Sequence, residues 1–149
     1  MAEEKSKRHL LICENDPGLQ GAFDLMLGRQ YGLVFTDDPI QIKSILAQHS
    51  ICLLIWDLDQ VGSGSNRILG ILKEFRQAQP DLKVLLIAEE FKYSFQVSVI
   101  QQCGVVSFQT KPWKSASGIV EQIQIILGDK KNTIQRWQLK MPISPTLNN

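Results

Sequence analysis

The stretch Ile51-Cys52-Leu53-Leu54-Ile55-Trp56-Asp57-Leu58-Asp59, "ICLLIWDLD", decides the fold. Six apolar residues follow one another with no polar break. A run of this length, rich in branched residues, reads as a strand buried on both faces. It then ends on a carboxylate. An unpaired buried charge costs several kcal/mol, on the order of the whole stability of a small domain. Asp57 therefore needs a partner, and either a lysine or a divalent cation would serve.

Working outward, the same alternation recurs on both sides. "HLLIC" (9–13) is a short apolar run, and "DPGLQGAFDLMLGRQYG" (16–32) carries Leu19, Phe23, Met26 and Leu27 at helical spacing. Asp16 before Pro17 reads as an N-cap acid followed by a first-turn proline. "LVFT" (33–36) is a second strand. Asp37 or Asp38 then starts one helix over "DPIQIKSILAQH", with Ile42, Ile45 and Leu46 on its inner face. After Asp57 a glycine- and serine-containing loop, "QVGSGSN", leads to a helix capped by Ser65 or Asn66, with Ile68, Leu69, Leu72 and Phe75 inward. "KVLLIA" (83–88) and "VVSFQT" (105–110) are strands four and five. The helices after them run through "FKYSFQVSVIQQCG" and "SASGIVEQIQIILG".

Five strand–helix units predict a single α/β domain, a parallel sheet covered on both faces. In such sheets the functional cleft lies outside the carboxyl ends of the strands, at the topological switch point. The residues just after each strand are therefore the candidates: Glu14 and Asn15, then Asp57 and Asp59, then Ile87 with Glu89 and Glu90, then Lys111. They form a rim of acids with one lysine. Oxygen ligands of this kind suit Mg²⁺, which keeps several waters and needs one or two carboxylates. A carboxylate beside a cation and a lysine suits attack on a phosphoryl group. The bland reading is that Lys111 merely neutralises Asp57.

Composition excludes other classes. The chain has 149 residues, a net charge of +1 and 21% charged residues, so no global field argues for direct contact with nucleic acid. Lys130, Lys131, Arg136 and Lys140 stand against one acid from Asp129 onward, giving a mildly acidic domain a mildly basic tail. The opening "MAEEKSKRHLLI" is not a signal peptide, and no apolar stretch is long enough to span a bilayer. Cys13, Cys52 and Cys103 lack metal spacing and read as buried thiols. These features point to the cytoplasm and to no membrane partner. No glycine-rich phosphate loop supports a small-ligand module of flavodoxin-like shape.

The order and spacing of these units resemble the receiver domain of response regulators in two-component systems, a CheY-like superfamily. The resemblance covers 8–128 and leaves 1–7 as an N-terminal tail and 129–149 as an extension with Trp137 as its anchor, with no separate output domain. "LLICENDP" is similar to the family's first-strand acid pair, "LLIWDLD" to its phosphoacceptor segment, and "QTKPW" to its strand-five lysine motif. The resemblance implies a flavodoxin-like (βα)5 fold with strand order 2-1-3-4-5. It implies Asp57 as phosphoacceptor and Lys111 as phosphate-binding residue. It implies Mg²⁺ held by Glu14, Asn15, Asp57 and the backbone carbonyl of Asp59, and a commonly cis bond at Lys111-Pro112. Phe108 takes the aromatic switch position. The implied partners are a histidine kinase or phosphotransfer protein, and a downstream protein on the face of helix four, strand five and helix five. Any catalysis would be at most Mg²⁺-dependent self-phosphorylation.

Three positions depart from that pattern. Asn15 replaces the second acid and removes a charge from the metal site, so Mg²⁺ binding is expected to be weak or lost. Ile87 replaces a Thr or Ser whose hydroxyl binds the phosphoryl group, so coupling to Phe108 is expected to fail or to take another route. The loop after Asp57 has Val61 where a proline is usual. The alternative these changes open is a pseudo-receiver that binds partners without phosphorylation.

Overall fold

The computed structural model describes residues 7–60, 65–104, 106–111 and 115–129. The expectations for Pro112, Trp113, Val61 and the extension with Trp137 fall outside the described residues. Five strands, β1 (His9–Cys13), β2 (Gly32–Thr36), β3 (Ile51–Asp57), β4 (Lys83–Ala88) and β5 (Val106–Thr110), form one parallel sheet in the order β2-β1-β3-β4-β5. The helices are α1 (Pro17–Leu27), α2 (Ile42–Gln48), α3 (Ser65–Ala78), α4 (Tyr93–Cys103) and α5 (Ala116–Ile126). This is the flavodoxin-like order expected from the sequence.

Apolar side chains alternate between two cores because successive strand residues point to opposite faces. Leu54, Trp56, Val84 and Leu86 join Ile42 and Leu46 of α2, Leu72 and Phe75 of α3, and Phe95 and Val99 of α4. Leu10, Ile12, Leu53, Ile55, Leu85 and Ile87 join Phe23 and Leu27 of α1 and Ile119 and Ile123 of α5. The central strands are sealed on both sides, which is why they read as unbroken apolar runs.

The helix starts follow their caps. Asp16 Oδ1 accepts the Gly18 N–H at 2.8 Å, with Pro17 as the first helical residue. Ser115 caps α5 by accepting from Gly118 N at 3.1 Å. Of the two acids offered for the next helix, Asp38 is the cap, but it does not start a single helix. It accepts from Ile40 N and opens a 3-10 turn, Pro39–Gln41, and the α-helix begins only at Ile42. Ile42 and Leu46 are buried, and Ile45 packs against the same core. The third helix already begins at Ser65, so that residue lies inside it. α4 is followed by Gly104 at its C-cap, whose positive φ of +78° is one that glycine adopts freely.

Candidate functional site

Strand order reverses at β1, with β2 added on one side and β3 on the other, so the switch point lies between the carboxyl ends of β1 and β3. Cys13 pairs with Trp56 in the β1–β3 register, which puts Glu14 level with Asp57 on strands about 4.8 Å apart. Asp57 pairs in turn with Ile87 of β4, and Ala88 with Thr110 of β5. The Lys111 N–H continues that ladder by donating to the Ala88 carbonyl at 2.9 Å. Lys111 thus starts two strands away from Asp57, a gap of about 10 Å that only a long side chain spans.

It does span it. Lys111 Nζ lies 2.7 Å from Asp57 Oδ2, and the Asp57 side chain is 1% exposed. The same ammonium lies 3.1 Å from Asp59 Oδ2. Burial alone would push the lysine pKa down, but the bonds to Asp57 and Asp59 outweigh it and hold the pKa above its ordinary value. The other oxygen of Asp57, Oδ1, accepts the Asp59 N–H at 3.0 Å. Both oxygens of the buried carboxylate are therefore held, and its charge is compensated.

Glu14 is as deeply buried, at 1% exposure, and its Oε1 accepts the Asp16 N–H at 3.2 Å. The neighbouring Cys13 records the field of the rim. Burial, and then the charges of Glu14, Asp38, Asp57 and Asp37, push its thiol up to about 12. Cys13 and Cys103 are buried and Cys52 half-buried, all as free thiols. Asn15 is exposed at the rim. Among the described residues no group of three or more His, Cys, Asp or Glu side chains stands together as a metal cluster. The register puts two acids, Glu14 and Asp57, level at neighbouring strand ends, and a hydrated Mg²⁺ needs no more than one or two carboxylates from a protein.

The other candidates fall as follows. Ile87 is 1% exposed, and its side chain belongs to the core under α1 and α5. Phe108 is half-buried on the opposite face and meets Phe91 edge to face, with ring centroids 5.2 Å apart. Glu89 and Glu90 are exposed. Asp59, one of the acids of the rim, for which the resemblance implies a backbone role, uses its carboxylate as well: it holds Lys111 and also accepts the Glu89 N–H at 2.8 Å. No local pattern signals this, because both partners of the Asp59 carboxylate, Lys111 and the Glu89 N–H, are far from it in the chain.

No family model matches the sequence, and no curated protein matches it. Solved structures do. A response regulator from Thermotoga maritima superposes with a TM-score of 0.70 at 15% identity, covering 82% of this chain and 98% of its own. An orphan response regulator of H. pylori gives 0.71 at 14%, covering 83% and 99%. This is the receiver-domain fold. A third receiver-fold neighbour is described as an atypical orphan response regulator with a phosphorylation-independent regulatory mechanism, at 0.67 and 15%, covering 80% and 95%. Among the described residues of this receiver fold, no helix is long and apolar enough to cross a membrane.

Proposed function

We propose that residues 8–128 are a receiver module of a two-component phosphorelay. It takes a phosphoryl group on Asp57 from a histidine kinase or phosphotransfer protein and alters protein–protein binding in the cytoplasm. The observation that carries this reading is the sealed Asp57–Lys111 pair at the switch point of the sheet. A charge pair there is costly to keep for stability alone, because well-packed apolar residues of similar volume would serve as well or better. An Asp57 oxygen attacks phosphorus, a new O–P bond forms, and the P–N bond to the donor histidine breaks with its electrons leaving on the imidazole. Lys111, already within reach, follows the charge onto the phosphoryl oxygens. Mg²⁺, held by Glu14, Asp57, Asn15 and the Asp59 backbone carbonyl, would supply neutralisation of the charge that builds there.

The downstream partner would sit on α4, β5 and α5. Two large apolar side chains of α4 support that face: Tyr93 is 80% exposed and Ile100 53% exposed, one heptad apart on the helix. The segment 129–149 would be an extension of the module.

A pseudo-receiver is the second reading, and Ile87 favours it. A buried apolar side chain level with Asp57 offers no hydroxyl to a phosphoryl group. The test treats the protein with Mg²⁺ and acetyl phosphate and reads its mass. A gain of one phosphoryl group in the wild type, absent in Asp57→Ala, is expected. No gain from acetyl phosphate or from a cognate kinase overturns the first reading and leaves the second.

A further inference from the structure

Ile87 removes the hydroxyl that would carry a signal from Asp57 to the α4 face, yet the structure contains a different connection. One oxygen, Asp59 Oδ2, accepts both the Lys111 ammonium at 3.1 Å and the Glu89 N–H at 2.8 Å. Glu89 is the first residue beyond β4, and two residues later Phe91 packs on Phe108 of β5. Lys111 is itself tied back to β4 through the Ala88 carbonyl and to Asp57 through its ammonium. A closed circuit results: Asp57, Lys111, Asp59, the loop after β4, Phe91 and Phe108.

We propose that the Asp59 carboxylate is the positioning residue that ties the loop after β4 to the Asp57–Lys111 pair, taking over the coupling Ile87 cannot make. Three observations support it. The bonds are charge-assisted, and such bonds are stronger than neutral ones. The tethered loop borders a cleft of about 190 Å³ lined by Asp59, Ile68, Ala88, Phe91 and Phe95 among others, so it has room to move when released. And Lys92, at the N-cap of α4, makes no side-chain cap bond, so no cap side chain fixes where the loop enters the helix.

The consequence rests on the phosphoacceptor reading, and the tether itself does not. A phosphoryl group on Asp57 would bring added negative charge beside Asp59 and draw Lys111 away from it. Asp59 would then lose its cation and be repelled, the Glu89 N–H would be freed, and Phe91 would be free to shift against Phe108. In the unmodified protein the same circuit holds the α4–β5 surface in one arrangement.

The experiment measures amide hydrogen exchange at Glu89 and the Phe91–Phe108 nuclear Overhauser contact, in the absence of any phosphodonor. Asp59→Ala is expected to speed exchange at Glu89 by about tenfold or more, the factor for losing a hydrogen bond to a charged group. The ring contact should weaken, while the buried strand amides at Leu85 and Leu86 keep their protection. Asp59→Asn keeps an acceptor oxygen and should restore part of the protection at Glu89, a rescue that a general loss of stability would not give. Unchanged exchange and an unchanged ring contact in Asp59→Ala overturn the tether. A uniform rise across β3 and β4 with no rescue by Asn overturns it also. Failure of acetyl phosphate to modify Asp57 overturns the phosphoacceptor reading alone, because no phosphodonor enters the exchange measurement.

Discussion

The two ends of the sheet each carry an aspartate held by a cation, and they differ in almost everything else. At the carboxyl end Asp57 and Lys111 have side-chain exposures of 1% and 16%. At the other end Arg8 pairs with Asp129, with exposures of 44% and 36%. Arg8 also donates to the Leu127 carbonyl and lies over the Tyr31 ring, whose hydroxyl donates to Asp129 at 2.7 Å. The outer cluster is a staple between the starts of β1 and β2 and the end of α5, bathed in water that screens it. The inner pair has given up its hydration. The same chemistry therefore serves as trim at one end and as a constraint at the other.

The largest effect follows from breaking the inner pair from one side. Lys111→Met leaves a buried carboxylate without its cation, and the expected loss is about 3–5 kcal/mol in a urea unfolding curve. Adding Asp57→Asn in the same chain removes the stranded charge and should recover most of that loss. If Lys111→Met alone costs no more than a surface substitution, the contrast between the two ends is false.

A second effect concerns the metal that the inner rim is proposed to hold. Asn15→Asp restores a charge beside Glu14 and Asp57. Mg²⁺ affinity read by calorimetry is expected to tighten about tenfold, or ~1.4 kcal/mol. Unchanged affinity would place Asn15 away from the ion. At the outer end, Arg8→Ala should cost about 0.2–1 kcal/mol, and the difference from wild type should shrink further in high salt. A salt-independent loss larger than that of the inner pair would reverse the ranking.

Much of this contrast can be read from the sequence, and the reasons are physical. Asp57 was legible because a carboxylate after six apolar residues has no cheap place to go. Glu14 and Lys111 were legible because strand ends gather at one rim in a parallel sheet. The break of the second helix at Ile42 was not, since Pro39 and Asp38 fit the start of an α-helix and of a 3-10 turn alike. The bond from the Glu89 N–H to the Asp59 carboxylate was not, because a side chain that points into solvent or back to Glu89 N looks the same in one dimension. The outer staple was missed for a related reason. Arg8, Tyr31 and Asp129 are far apart in the chain, and nothing periodic links them.

A last comparison of the two ends runs through their protons. At the inner rim Cys13 has its thiol pushed up to about 12, by burial first and then by Glu14 and the neighbouring aspartates. At the outer end Tyr31 is also pushed up to about 12, by burial first and then by its bond to Asp129. In both cases the folded protein keeps a proton that the unfolded chain releases at lower pH. Their contributions are thus fully present below the ordinary cysteine and tyrosine values and are lost as pH rises towards 12. Stability measured by urea unfolding should fall steadily over that window. Cys13→Val should flatten the lower part of the fall, near pH 9–10, and Tyr31→Phe the upper part. Tyr31 is the weaker lever, because both groups reach about 12 and tyrosine starts from a higher ordinary value than cysteine. A larger flattening from Tyr31→Phe than from Cys13→Val would mean that the bond to Asp129 holds its proton more firmly than burial at the inner rim does.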